Sequence, residues 1–74
     1  GAVADTLIQQ AVDAYLDTFG ARINTFVLDE LALIAGRFRP EWIHDAFARV
    51  AQTEKPSLSA AVRLLVERKQ REMS

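Results

Sequence analysis

The centre of the chain carries a proline followed by an apolar stripe with helical spacing, and this feature constrains the fold more than any other. Pro40 suits the first turn of a helix, because its φ angle is already helical and its missing N–H would have no partner there. The apolar residues that follow recur at intervals of three and four, and they are Ile43, Ala46, Phe47, Val50 and Ala51. We therefore predict a helix over residues 40–51 whose apolar face needs a core.

The segments at the two ends of the chain show the same periodicity. We predict a first helix over residues 5–19, ended by Gly20, because glycine readily adopts the left-handed backbone that follows many helices. A last helix is predicted to begin after Ser57, whose hydroxyl oxygen accepts a hydrogen bond from the first turn of such a helix. Residues 1–4 are predicted to be a tag remnant or a disordered start, and residues 67–74 a polar, solvated tail that is either helical or loose.

The second predicted helix covers residues 26–35, with Asn24 or Thr25 as its N-cap and Gly36 as its end. It is apolar around much of its circumference, so it needs burial on more than one side. A position between the first and third helices, or self-association, would provide that burial.

These segments predict an all-α fold, a compact bundle of about four short helices that forms one domain over residues 1–74. The residues expected to meet the stripe of the third helix are Ile8, Val12, Leu16, Leu31, Ile34, Val62 and Leu65. The chain has no cysteine, so well-packed helices or a partner chain must hold the domain together. No apolar run approaches the roughly 20 residues of a membrane span, so we predict no membrane contact and a cytoplasmic location.

Catalysis needs several cooperating groups, and the sequence offers no such set. His44 is the one histidine, and its neighbour Asp45 would point in another direction on a helix. Glu41 shares a helix face with His44, but two potential ligands without a third do not make a metal site. We therefore predict that the protein is not an enzyme and uses no metal or cofactor.

Charge is unevenly distributed along the chain, although the net charge is only −1. Residues 1–36 hold five acidic residues and one basic residue, whereas residues 37–74 hold eight basic and five acidic ones. A molecule polarised in this way steers an anionic partner to its basic end. Complementary solvated faces are the alternative explanation.

The order and spacing of several residues match a known family. These residues are Tyr15, Phe19-Gly20, Arg22-Ile23, Leu31, Pro40-Glu41-Trp42-Ile43, Ala46, Ala51, Ser57-Leu58 and Leu64-Leu65. Together they resemble the DnaD-like domain of bacterial and phage replication-initiation proteins, over the segment from Tyr15 to about Arg68. The family's last helix usually carries Tyr, Ile and Trp at positions where this chain has Ala60, Leu64 and Arg68.

The resemblance implies a compact helical domain, frequently C-terminal to a winged-helix domain, that binds DNA and contacts other primosome components. We therefore predict a DNA-associated adaptor domain whose partners are DNA, including single-stranded DNA, and replication proteins. The basic residues expected to contact phosphates are Lys55, Arg63, Arg68, Lys69 and Arg71. Phe38 and Trp42 are the candidate partner-binding aromatic residues, and their alternative role is packing on the core and over its edge.

The main alternative is a helical protein-interaction or homo-oligomerisation module without nucleic-acid binding. The second helix has more apolar surface than a bundle of this size needs to hide, and a homodimer is the commonest way to cover such a surface. In a third alternative, the protein is a regulatory subunit that binds a partner's basic groove through Asp5, Asp13 and Asp17.

Overall fold

Four α-helices make up the part of the chain that the computed structural model describes, residues 2–20 and 22–73. They are α1 (Ala2–Phe19), α2 (Thr25–Arg37), α3 (Pro40–Ala51) and α4 (Leu58–Met73). The described residues contain no β-strand, so the predicted all-α bundle is confirmed. The Cα radius of gyration is 11.8 Å, close to the roughly 11 Å expected for one compact domain of this length.

Three of the predicted helix boundaries have the hydrogen bonds that the sequence indicates. Gly20 follows α1 with φ at +61°, and its N–H donates to the carbonyl of Leu16 at 2.9 Å. The side chain of Asn24 accepts a hydrogen bond from the N–H of Val27 at 2.8 Å and caps α2. The N–H of Ala60 donates to the Ser57 hydroxyl at 3.1 Å at the start of α4. Each cap satisfies a backbone group that a helix end leaves without an internal partner.

Both chain ends are helical over the residues that the structure describes. α1 begins at Ala2 rather than near Asp5, and the hydroxyl of Thr6 donates to the carbonyl of Ala2 at 2.8 Å in this first turn. At the other end α4 runs to Met73, so the polar tail continues the helix. The predicted start and tail also include Gly1 and Ser74, which lie outside the described residues.

The end of α2 differs from the prediction, because Gly36 lies inside the helix and does not end it. The helix continues to Arg37, and the N–H of Phe38 donates to the carbonyl of Ile34 at 2.9 Å. Arg39 has extended backbone, with φ −67° and ψ 144°, as the residue before a proline prefers. The steric demand of Pro40 therefore limits α2, and the same proline then occupies the first turn of α3.

The core is one cluster to which all four helices contribute. Its buried residues are Ala11, Ala14, Tyr15, Leu31, Ile34, Ala35, Ile43, Ala46, Phe47, Val50, Ala61 and Leu65. Four of the five stripe residues predicted for α3 are among them, and the fifth, Ala51, is exposed. The predicted stripe of α3 is therefore confirmed over its first three turns.

The predicted apolar face of α1 is buried only in part. Leu16 is 45% exposed, while Ile8 and Val12 are only partly buried against the core. The buried residues of α1 are Ala11, Ala14 and Tyr15. Small side chains allow two helices to approach closely, so the face of α1 that meets its neighbours lies to one side of its largest aliphatic residues.

The helices are arranged around α1 and α3. α1 packs against both α2 and α3, and α4 packs against α3. α2 contacts both α1 and α3, as a position between the first and third helices requires, but its main contact is with α1 and the contact with α3 is minor. One side of α2 is therefore left open, and Phe26 on that side is 79% exposed.

Candidate nucleic-acid interface between α3 and α4

An open groove of about 390 Å³ lies between α3 and α4. Its lining residues are Glu41, Trp42, Asp45, Ala46 and Arg49 from α3 and Leu64, Leu65, Arg68 and Arg71 from α4. On each helix these residues follow at intervals of three and four, which places them along the side that faces the other helix. In the groove the structure brings two predicted DNA-binding residues, Arg68 and Arg71, together with the predicted partner-binding residue Trp42.

Trp42 and Arg68 are stacked across the groove. The guanidinium carbon of Arg68 lies 4.4 Å from the centre of the Trp42 ring, within the range of a cation–π contact. Trp42 is partly buried against the core, so its predicted place at the core edge is confirmed. The guanidinium group has five N–H donors, so Arg68 can bind an anion while it contacts the ring.

Pro40 determines where Trp42 lies. The proline starts α3, and the N–H of Trp42 donates to the carbonyl of Arg39 at 3.0 Å in the first turn. Trp42 is therefore held at the beginning of the helix, next to the C-terminal half of α4.

Asp45 is shared between two arginine residues of the groove. Its Oδ2 atom accepts a hydrogen bond from Nε of Arg49 at 3.0 Å, and it lies 3.7 Å from Nη1 of Arg68. The side chains of Arg49, Asp45 and Arg68 are 70%, 47% and 35% exposed. Exposed ion pairs of this kind add at most about 1 kcal/mol to stability, so the contacts organise the groove more than they hold the fold together.

The other predicted DNA-binding residues lie outside the groove. The Nζ atom of Lys69 is 5.6 Å from the centre of the Phe38 ring, about 100° around α4 from Arg68. Arg63 and Lys55 are exposed, and neither lines the groove. Of the five predicted residues, only Arg68 and Arg71 line the groove.

The two predicted partner-binding aromatic residues are also separated. Phe38 is partly buried and packs against the core, which is the alternative role predicted for it. Lys69 lies over its ring. Trp42 lies in the groove with Arg68. Two different cation–π contacts thus join the C-terminal half of α4 to the residues that precede and begin α3.

Sequence reasoning missed Arg49 and Asp45 as parts of the site. Arg49 is seven residues beyond Trp42 and so lies on the same side of α3. This spacing could have been recognised in the sequence, whereas the contact between Asp45 and Arg68 joins two helices and could not.

His44 is exposed and does not line this groove; it lies in a small cavity next to Leu7 and Gln10 of α1. Within residues 2–20 and 22–73, no group of three or more acidic, histidine or cysteine side chains is arranged to hold a metal ion. Over the same residues, no helix has the combined length and apolar character needed to cross a bilayer.

Comparisons of the chain with protein-family models, curated proteins and solved structures give no match. The resemblance to the DnaD-like domain therefore stays a prediction that rests on the residues quoted for it.

Proposed function

We propose that this chain is a DNA-associated adaptor domain of the replication-initiation type, which binds single-stranded DNA weakly through the groove between α3 and α4. The observation that carries the proposal is the placement of Arg68 and Arg71 in one groove with Trp42. Arginine side chains bind phosphate oxygens through paired N–H groups, and the Trp42 ring holds the Arg68 guanidinium group in the groove by a cation–π contact.

The charge of the groove favours weak binding with little sequence preference. Arg49, Arg68 and Arg71 supply three positive charges, and Glu41 and Asp45 supply two negative ones. Binding of DNA phosphates to these cations would release counterions, which makes the affinity depend steeply on salt. A flexible single strand can adjust its phosphates to three cations on two helices more readily than a rigid duplex can.

The proposal is tested by measuring the fluorescence anisotropy of a labelled oligothymidylate. If three phosphates are bound, affinity should fall roughly 20-fold between about 50 and about 200 mM salt. A variant with Arg49, Arg68 and Arg71 all replaced by alanine should lose most of its affinity at the lower salt concentration. No binding by the wild-type protein at that concentration would contradict the proposal.

Two charge-matched triple variants serve as controls. Replacement of Arg22, Arg37 and Arg39 by alanine removes the same charge from residues that do not line the groove and should leave most of the binding intact. Replacement of Lys55, Arg63 and Lys69 removes the predicted basic residues that lie outside the groove. Equal losses in all three variants would mean that overall charge, rather than the groove, determines the affinity.

Self-association is the second candidate function, and the exposed side of α2 favours it. Phe26 is 79% exposed, and Leu33, seven residues later and on the same side, is 46% exposed. Full burial of each such side chain contributes about 1.5 to 3 kcal/mol. A second copy of the chain could supply that burial through a symmetric contact between two α2 helices.

Sedimentation velocity over a range of concentrations tests this second candidate. We expect a monomer–dimer equilibrium that Phe26→Ser shifts towards the monomer, because the substitution removes the largest exposed apolar side chain of α2. Leu28→Ser is the matched control, since Leu28 is also partly exposed but lies about 160° around the helix from Phe26. A monomer at every concentration would rule out self-association.

A further inference from the structure

We propose that Asp45 is a built-in competitor that occupies the anion-binding position of the groove and limits the affinity of the groove for phosphate groups. If the phosphate-bearing ligand is DNA, this role of Asp45 rests on the proposed function. Asp45 is then the residue that regulates the groove, and the ligand is a molecule with several linked phosphate groups.

Asp45 lies between two guanidinium groups of the groove, hydrogen-bonded to one and within ion-pair distance of the other. Its single Oδ2 atom accepts a hydrogen bond from Arg49 at 3.0 Å and lies 3.7 Å from Arg68. Carboxylate and phosphate oxygens are bound by guanidinium groups with the same charge-assisted, planar geometry. A phosphate oxygen would therefore bind the two guanidinium groups where the Asp45 oxygen now lies.

The competition is weak enough for a ligand to displace Asp45. All three side chains are accessible to solvent, so neither ion pair is strongly stabilised by burial. Asp45 is nevertheless tethered beside its partners, which gives it a high effective concentration against a small, singly charged anion. A chain of several phosphates has an advantage, because it also reaches Arg71 in the same groove.

Neutralisation of Asp45 should leave the site in place. Arg68 also stacks on Trp42, and this contact does not depend on the charge of Asp45. Arg49 is on the same helix as Trp42 and keeps its position on the groove side of α3. The variant Asp45→Asn should therefore present the same cations without the competing carboxylate.

The test measures the affinity of wild-type protein, Asp45→Asn and Asp29→Asn for a labelled oligothymidylate and for inorganic tripolyphosphate. Trp42 is the only tryptophan of the chain and touches Arg68, so its fluorescence reports tripolyphosphate binding. Ionic strength is held at about 0.1 M, where charges more than about 10 Å apart are largely screened. We expect Asp45→Asn to bind both ligands roughly three- to tenfold more tightly. Asp29→Asn should match the wild type, since Asp29 is on α2, which does not line the groove.

The outcomes separate this inference from the proposed function. Tighter tripolyphosphate binding by Asp45→Asn, with no DNA binding by any variant, would support the competitor role and overturn the DNA function. Equal DNA affinities of wild type and Asp45→Asn would uphold the DNA function and overturn the competitor role. An equal gain in affinity in Asp29→Asn would also overturn the competitor role. If no variant bound either ligand, both proposals would be overturned. Circular dichroism should show that Asp45→Asn is folded, because Asp45 is exposed at the protein surface.

Discussion

Replacing Phe47 with alanine is expected to lower the free energy of unfolding by about 3 to 5 kcal/mol, the range found for large core aromatic side chains. Phe47 is only 1% exposed, and its ring meets that of Phe19 edge-on, with 5.4 Å between the ring centres. The ring of Phe19 lies 5.0 Å from that of Tyr15. The substitution would leave a cavity at the contact between α1 and α3, which is central to the arrangement of the helices.

The size of this effect is best judged against the total stability of the domain. A chain of this length is expected to have a free energy of unfolding of roughly 4 to 11 kcal/mol. Phe26→Ala is the matched control, because it is the same chemical change at a side chain that is 79% exposed. Urea denaturation followed by circular dichroism should show a change of at most about 0.5 kcal/mol for this control. Similar losses at the two positions would contradict the core described for this fold.

Trp42→Ala is expected to lower both stability and DNA affinity. We expect a loss of about 2 to 3 kcal/mol in the free energy of unfolding, less than for a fully buried aromatic residue, because Trp42 is only partly buried. The substitution also removes the surface on which Arg68 is stacked. Arg68 would then have only the exposed carboxylate of Asp45 to orient it. Urea denaturation and oligothymidylate anisotropy measure the two effects independently.

Trp42→Phe separates packing from recognition. Phenylalanine keeps an aromatic ring beside Arg68, so most of the affinity should be retained while part of the packing is lost. Affinities are compared in the absence of denaturant at a temperature where both variants are folded. If Trp42→Ala reduced stability but left DNA affinity unchanged, Trp42 would be a packing residue only. If it changed neither quantity, both the core-edge position and the groove would be wrong.

The helical architecture was predictable because its signals act over short distances. Gly20, Asn24 and Ser57 each satisfy backbone groups within one helical turn, and Pro40 acts on its immediate neighbours. The prediction that α2 ends at Gly36 was wrong for a related reason. Glycine is compatible with a helix as well as with its end, and the extended backbone before Pro40 decided where α2 stopped.

The burial of individual side chains was less predictable, because it depends on how the helices approach one another. In α1 the periodic pattern was wide enough to place Leu16 in the core, yet the helix packs through Ala11, Ala14 and Tyr15. The periodicity identifies an apolar side but does not determine which part of it meets a neighbour. Likewise, the apolar circumference of α2 did not reveal that its main contact is with α1.

The sequence by itself determined the four helices, most of their boundaries and the stripe of α3, since these depend on spacing and capping within single segments. The sequence also indicates that Arg49 pairs with Asp45, because residues four apart meet on one side of a helix. Only the tertiary structure decided that Arg68 reaches Trp42 and the same carboxylate, while Lys69 turns to Phe38. The physical reason is that these contacts depend on the rotation of α4 against α3, which is determined by core packing around Ala61 and Leu65 rather than by any local signal.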